Sequence, residues 1–211
     1  MPSCRLGAHT FIFQQYGFDP VTQLEKMLSA IADSGFGSVE LTNSSLGSDG
    51  FKSQVQSSLN STGLEMIGAS HGMHLWNLSE YERNYDILDE YSDRLSALGE
   101  NIKCGMSCSG KDFSKRSEAE NEHLIQAWIE VSEMFRSKDL ELNYHNHGES
   151  QTDIAFVLDN VPEDILLIIF ISLRKNGSQF SLKIICIMSA KKVQEVKDCI
   201  WRLFQWLQDV P

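Results

Sequence analysis

The stretch ELNYHNHGES, residues 141–150, holds the side chains best suited to chemistry in this sequence. Alternate residues of a β-strand share a face, so His145 and His147 would point the same way, and Glu149 follows two residues later. Imidazole nitrogens and carboxylate oxygens bind divalent metals, and they also hydrogen-bond to hydroxylated substrates. The same residues equally suit a polar turn after a strand. The motif therefore indicates a binding site only if further polar residues converge on it.

Three more polar residues stand near the ends of predicted strands: His9 in the first, Glu40 in the second and His71 in the third. The carboxyl ends of parallel barrel strands meet at one rim, where such folds place their chemistry. We therefore predict that these side chains gather with those of the fifth strand around a common mouth. Taken singly, each residue also suits a structural role with its polar atoms satisfied in the core.

Short apolar runs alternate with helical patterns over the first 160 residues, and this alternation predicts the fold. Five such repeats are typical of parallel strands joined by crossover helices. A doubly wound open sheet and a (β/α)8 barrel both fit, but no glycine-rich phosphate loop follows the first strand. We predict an α/β fold of the (β/α)8 TIM-barrel type, with strands at CRLGAHTF, SVELTN, LEMIGASHG, NIKCGMSC and LELNYHNH.

Length and composition indicate one domain over residues 1–211, because 211 residues that are 42% hydrophobic suffice for one core but not for two with a linker. The N-terminus lacks the basic and apolar regions of a signal peptide. The longest apolar run, ILLIIFISL, is too short to cross a bilayer as a helix. Five scattered cysteines without a CxxC pair suit reduced thiols. We expect a cytoplasmic protein with no membrane partner.

The net charge of −11 argues against nucleic acid as a partner, because affinity for phosphates rests on lysine and arginine. This charge is unevenly distributed. Residues 1–164 carry −15 and residues 165–211 carry +4. The sequence therefore changes from acidic to basic near Asp164.

Several segments together resemble the sugar phosphate isomerase/epimerase family, the xylose-isomerase-like TIM barrels. The resemblance covers residues 4–166, and its most specific element is YHNH at the fifth strand. The other segments that carry it are RLGAHTF, LEKMLSAIADSGFGSVEL and STGLEMIGASHG. It implies a barrel that acts on a small sugar, a cyclitol or a sugar phosphate.

The resemblance also implies a mechanism. A divalent ion (Mn2+, Mg2+ or Co2+) would polarise the substrate carbonyl and stabilise an enediolate, while carboxylates move the α-proton. Glu149 would be the metal ligand and a catalytic base, with His147 as a second catalytic residue. The substrate-binding residues would be His9, Glu40, His71 and His145.

The last part of the sequence, residues 167–211, departs from the family. Further metal ligands of such proteins would be an aspartate, a histidine and a glutamate at the sixth to eighth strands, yet no histidine follows His147. We hypothesise a truncated or frame-altered barrel, incomplete or with atypical closure, in which the missing ligands would weaken metal binding and could abolish activity. ILLIIFISL and LKIICIM would form two buried parallel strands. The apolar helical pattern after residue 190 would either form a helix that closes the core or expose a surface that recruits a second copy into a homo-oligomer.

Two other functions remain open from the sequence. A non-catalytic sugar-binding or regulatory barrel would retain the polar residues at the carboxyl ends of the strands but would no longer bind the metal. An endonuclease of the abasic-site type would share the barrel and the metal cluster, although the acidic sequence counts against it.

Overall fold

Five parallel strands form the framework of the fold in the computed structural model, which describes residues 7–99, 102–108, 111, 113–145, 150–161, 169–174 and 181–186. The strands lie side by side in chain order, and each is hydrogen-bonded to the next. They are β1 (Gly7–His9), β2 (Ser38–Thr42), β3 (Glu65–Gly72), β4 (Lys103–Ser107) and β5 (Glu141–Tyr144). The predicted α/β alternation with a parallel sheet is confirmed.

Helices connect the strands, as crossover connections between parallel strands require. They are α1 (Phe11–Gln15), α2 (Leu24–Asp33), α3 (Phe51–Thr62), α4 (Tyr81–Ser96), α5 (Glu118–Arg136) and α6 (Gln151–Asn160). The short helix α1 replaces the predicted end of the first strand. In the described ranges, no helix combines the length and the apolar character needed to cross a membrane.

The core lies between the sheet and the helices. The apolar faces of α2 and α5 are buried, and the Trp128 ring of α5 packs on the Tyr144 ring of β5 with 5.6 Å between centroids. Leu24, Met27 and Leu28 of α2 are fully buried. Each such side chain stabilises the fold by about 1.5–3 kcal/mol. This packing makes one face of the sheet, the helix-facing side, apolar.

The opposite side of the sheet, here called the inner face, carries Gly7, Ser38 and Ile67 near the amino ends of β1 to β3. A Cβ placed on Gly7 would lie 2.8 Å from Ile67 Cδ1 and 3.1 Å from Ser38 Oγ. By strand alternation His9 lies on the same face, two residues after Gly7. His9 reaches Ser70 of β3, so Ile67 and Ser70 share the inner face although they are three residues apart.

A β-bulge in β3 explains this odd spacing. Val39 pairs with Met66 but Glu40 pairs with Gly68, so β3 has one extra residue opposite β2. Such a bulge reverses which face the following side chains occupy. Gly68 sits at this point, and a Cβ on it would lie only 2.7 Å from the backbone oxygen of Lys103. The bulge therefore decides which residues at the end of β3 reach the inner face.

Strands β6 (Ile169–Arg174) and β7 (Ser181–Cys186) form a separate two-stranded antiparallel sheet. The prediction of two parallel strands here was wrong. Six residues separate the two strands, whereas a parallel connection needs a dozen or more. The predicted association helix after residue 190 lies outside the described residues.

A buried ion pair joins the start of α5 to α6. Arg116 Nη2 contacts Asp153 Oδ1, and the two side chains are 1% and 5% exposed. Arg116 also donates to Asn121 Oδ1 at 2.8 Å and to the Lys111 carbonyl at 2.6 Å. Ser150 caps α6 by accepting from the Asp153 amide at 3.1 Å. These contacts fix α6, which directly follows the ELNYHNHGES segment.

Candidate functional site

The carboxyl ends of β1, β2, β3 and β5 bring polar side chains together on the inner face. Cα pairing places His9 beside Glu40, and Ser70 beside Gly105, which in turn pairs with Asn143. Paired residues of parallel strands point to the same side of the sheet. His145 follows Asn143 by two positions and therefore shares its face. Of the predicted site residues, the structure brings His9, Glu40 and His145 together.

His9 is held by hydrogen bonds on both ring nitrogens. Its Nδ1 accepts from the Phe11 amide at 3.0 Å, and its Nε2 lies 2.8 Å from Ser70 Oγ. Because Nδ1 is an acceptor, the ring hydrogen sits on Nε2 and is donated to Ser70. The Ser70 hydroxyl hydrogen is then free to be donated to a third group. The arrangement fixes the ring orientation of His9 and polarises Ser70.

Glu40 is a carboxylate taken almost fully out of water. Its residue is 4% exposed, and its Oε1 lies 3.5 Å from His9 Nε2. The β2 backbone at this point is fixed by Thr10, whose amide donates to the Glu40 carbonyl at 3.0 Å. Removing a carboxylate from water is costly unless charge or hydrogen bonds compensate. A buried carboxylate beside an imidazole is a group that can accept a proton or hold a hydroxyl.

His145 completes the cluster from the other side. It is 2% exposed, and its ring centroid lies 6.5 Å from that of His9. Its amide donates to the Met106 carbonyl at 2.8 Å, which continues the β4–β5 ladder just past the end of β5. The ring position is therefore set by sheet pairing.

His71 lies elsewhere, and this corrects its placement at the common mouth. Its ring packs edge-on against Tyr91 of α4 with 4.7 Å between centroids, on the helix-facing side. Nδ1 lies 2.9 Å from the Gly72 carbonyl oxygen. Burial lowers the pKa of His71 below its ordinary value of 6.5. The bulge in β3 turns His71 away from His9 and brings Ser70 in its place.

The lowered pKa of His71 makes folding stability depend on pH. In the unfolded chain the imidazole protonates near pH 6.5, whereas the folded protein resists protonation. The contribution of neutral His71 to the free energy of unfolding is therefore complete above about pH 6.5. It is lost as the pH falls toward the lower pKa of the folded protein. We expect the urea concentration at the unfolding midpoint to decrease as the pH is lowered from 7.5 to 5. This decrease should be smaller in His71→Gln than in wild type. His123→Gln is the comparison variant, since burial also lowers the pKa of His123. If the urea midpoint of His71→Gln depended on pH as steeply as that of wild type, His71 would not be the cause of the pH dependence.

His147 and Glu149, the predicted catalytic and metal residues, lie outside the described residues. Among the described ones, no group of three or more histidine, cysteine, aspartate and glutamate side chains is arranged to hold a metal ion. The His9–Glu40 pair supplies two donors, and a hard divalent cation takes about six oxygen ligands. The described residues thus do not by themselves fit a resident divalent metal.

Ser70 and Asn143 are site residues that sequence reasoning missed. Asn143 could have been found, because it stands two residues before His145 in the same strand and shares its face. Ser70 could not, because plain alternation counted from Ile67 places His71 on the inner face. The only available signal was Gly68, a residue typical of bulges.

No family model matches the chain, and no curated protein matches it. Solved structures do. One is D-psicose 3-epimerase in the presence of D-fructose, with a TM-score of 0.59, 13% identity and coverage of 79% of this chain and 63% of that one. An L-ribulose 3-epimerase has a TM-score of 0.61 and 18% identity, covering 79% of this chain and 60% of that one.

A third similar structure is a xylose isomerase-like TIM barrel protein from Mycobacterium smegmatis in complex with magnesium. Its TM-score is 0.59 at 15% identity, and coverage is 80% of this chain and 64% of that one. The chain therefore matches less than two thirds of the length of each of the three. At these identities the likeness shows a shared fold. The predicted resemblance to xylose-isomerase-like TIM barrels is confirmed at that level.

Proposed function

We propose that the chain binds a small polyhydroxylated sugar at the carboxyl ends of β1, β2 and β5 and acts as a sugar isomerase or epimerase. The observation that carries this proposal is the buried His9–Glu40 pair, with Ser70 at 2.8 Å from His9 and the His145 ring 6.5 Å away. The fold shared with two sugar 3-epimerases supports it. The substrate class is a ketose, a cyclitol or a sugar phosphate.

The proposed chemistry is transfer of a proton at the carbon next to a carbonyl. Glu40, as the buried carboxylate, would remove this proton, and the electron pair would move toward the carbonyl oxygen to give an enediolate. Ser70 can donate its hydroxyl hydrogen to that oxygen, since Nε2–H of His9 already satisfies Ser70 Oγ as an acceptor. Preorganised donors of this kind stabilise developing negative charge. Return of the proton to the neighbouring, former carbonyl carbon gives isomerisation, and protonation of the original carbon by His145 from the opposite face gives epimerisation.

Binding of a divalent metal is a separate proposal. Its support is the magnesium complex of the Mycobacterium smegmatis protein. If an ion binds this chain, Glu149 is the ligand we propose and His147 is a neighbouring catalytic residue. When bound, the ion would polarise the substrate carbonyl. No step above depends on it.

Hydrogen exchange tests the proposal directly. The protein is incubated in D2O with D-fructose, D-psicose or D-ribulose, with and without Mn2+ or Mg2+, and proton NMR follows the signal next to the carbonyl. We expect one ketose to lose this signal and to yield an isomer. Glu40→Gln should reduce the rate about 100-fold, the usual scale for a general base. Glu25→Gln, an exposed position on α2, is the matched control and should retain the wild-type rate.

Two other results would lead elsewhere. Saturable ketose binding without exchange under any metal condition would favour the non-catalytic sugar-binding barrel. Neither binding nor exchange would show the proposed function to be wrong.

A further inference from the structure

Asn143 holds a buried hydrogen-bond acceptor that none of the described residues uses. The residue is 0% exposed, and its Oδ1 has no hydrogen-bond partner among the residues that the structure describes. Its Nδ2 makes one long contact, at 3.4 Å, to the Glu141 carbonyl of the same strand. Buried polar atoms are nearly always paired, because leaving one unpaired costs free energy. The unpaired oxygen therefore calls for a donor from outside the described chain.

The surroundings of Asn143 show where such a donor would come from. Asn143 pairs across the sheet with Gly105, and Gly105 pairs with Ser70, so the three form one row on the inner face. Strands lie about 4.8 Å apart, which puts roughly 10 Å between the Cα atoms of Ser70 and Asn143. Gly105, between them, has no side chain to fill this gap. His145 lies beside this row, because it is the next residue after Asn143 along the chain that faces the inner side of the sheet.

We infer that Asn143 Oδ1 accepts a hydrogen bond from a hydroxyl of the ligand held by His9, Glu40 and Ser70, and that Asn143 determines specificity for that hydroxyl. The inference rests on the proposed function and narrows its substrate class. Asn143 Oδ1 and the Glu40 carboxylate both accept hydrogen bonds, so this part of the site fits a group that donates at two positions.

A neutral polyol segment meets that requirement, because each of its hydroxyls can donate. A phosphate does not, since its oxygens mainly accept and its charge repels the Glu40 carboxylate. The part of the ligand that lies between Ser70 and Asn143 is therefore unphosphorylated. A ligand with a methylene in place of the recognised hydroxyl leaves the Asn143 oxygen unpaired and binds more weakly, as sites built for a hydroxyl reject analogues without it.

The test compares D-fructose with its 1-, 3-, 4- and 6-deoxy derivatives in wild type, Asn143→Leu and Asn143→Ala, with Kd measured by NMR titration. D-ribulose and myo-inositol are added as parent probes. We expect wild type to bind one deoxy derivative about 10-fold more weakly than D-fructose. Both variants should bind D-fructose about 10-fold more weakly and lose the discrimination against that derivative. Asn60→Ala, an exposed position on α3, is the control and should behave as wild type.

Thermal melting separates a binding role from a structural one. Asn143→Leu keeps the branching and the number of side-chain heavy atoms and removes the unpaired acceptor, so its Tm should equal or exceed that of wild type. Wild-type affinity and discrimination in a folded Asn143→Leu or Asn143→Ala would overturn the inference and leave the proposed function standing. Equal binding of all deoxy derivatives by wild type would overturn it as well. If no parent sugar binds wild type, the proposed function fails too.

Discussion

Asp153→Asn is expected to lower the free energy of unfolding by about 3–5 kcal/mol, the usual cost of removing one partner from a buried ion pair. The substitution leaves the Arg116 guanidinium, whose side chain is 1% exposed, without a compensating charge. An arginine cannot escape this cost by losing its proton, because the guanidinium group stays protonated in proteins. Asn121 and the Lys111 carbonyl would remain as neutral partners for Arg116.

Urea unfolding followed by circular dichroism measures this loss. The control is Glu90→Gln, which removes the exposed partner of an i,i+4 pair with Arg94. Exposed pairs of this kind contribute only about 0.3–0.5 kcal/mol. Similar, small losses in Asp153→Asn and Glu90→Gln would mean that the Arg116–Asp153 pair does not hold α6 in place.

Gly68→Ala is expected to destabilise the protein by about 3 kcal/mol, the upper end of the range for overpacking. The new Cβ would lie 2.7 Å from the Lys103 backbone oxygen, and backbone cannot move aside as a flexible side chain does. Strand β3 must then shift against β4. Because Ser70 follows Gly68 by two residues, its hydroxyl would move away from His9, and ketose binding should weaken as well.

Gly72→Ala is the matched control in the same strand. A Cβ on Gly72 meets no atom within 4 Å, so this variant should keep wild-type stability and ketose affinity. Thermal melting and the NMR titration of D-fructose measure both effects. A Gly68→Ala protein with the Tm of Gly72→Ala would show that β3 and β4 are not held as closely as described.

The architecture was predictable from the sequence because the hydrophobic pattern of each element repeats at the period of a strand or a helix. The spans of α4 and α5 follow directly from their buried residues, such as Leu88, Leu95, Trp128 and Phe135. The antiparallel pairing of β6 and β7 was missed, although Asn176-Gly177 between them is a sequence signal for a hairpin. Both strands read as uniform apolar runs, which do not reveal direction.

The candidate site was only partly predictable, for a different reason. His9, Glu40 and His145 stand at strand ends whose alternation is regular, so position along the chain was enough to group them. The face of His71 and Ser70 depends on one extra residue in β3, which follows from the three-dimensional pairing with β2. His147 and Glu149 stay predictions.

The extra residue in β3 has a consequence for how such a protein can evolve. Loss of the Ile67 codon would remove the bulge and restore regular pairing, but Gly68 would stay opposite Glu40 and Ser70 would stay opposite Thr42. Ser70 would therefore remain beside His9, and His71 would remain on the helix-facing side of the sheet. A single codon can thus be gained or lost at the bulge without altering the polar groups that the end of the strand presents to the cavity.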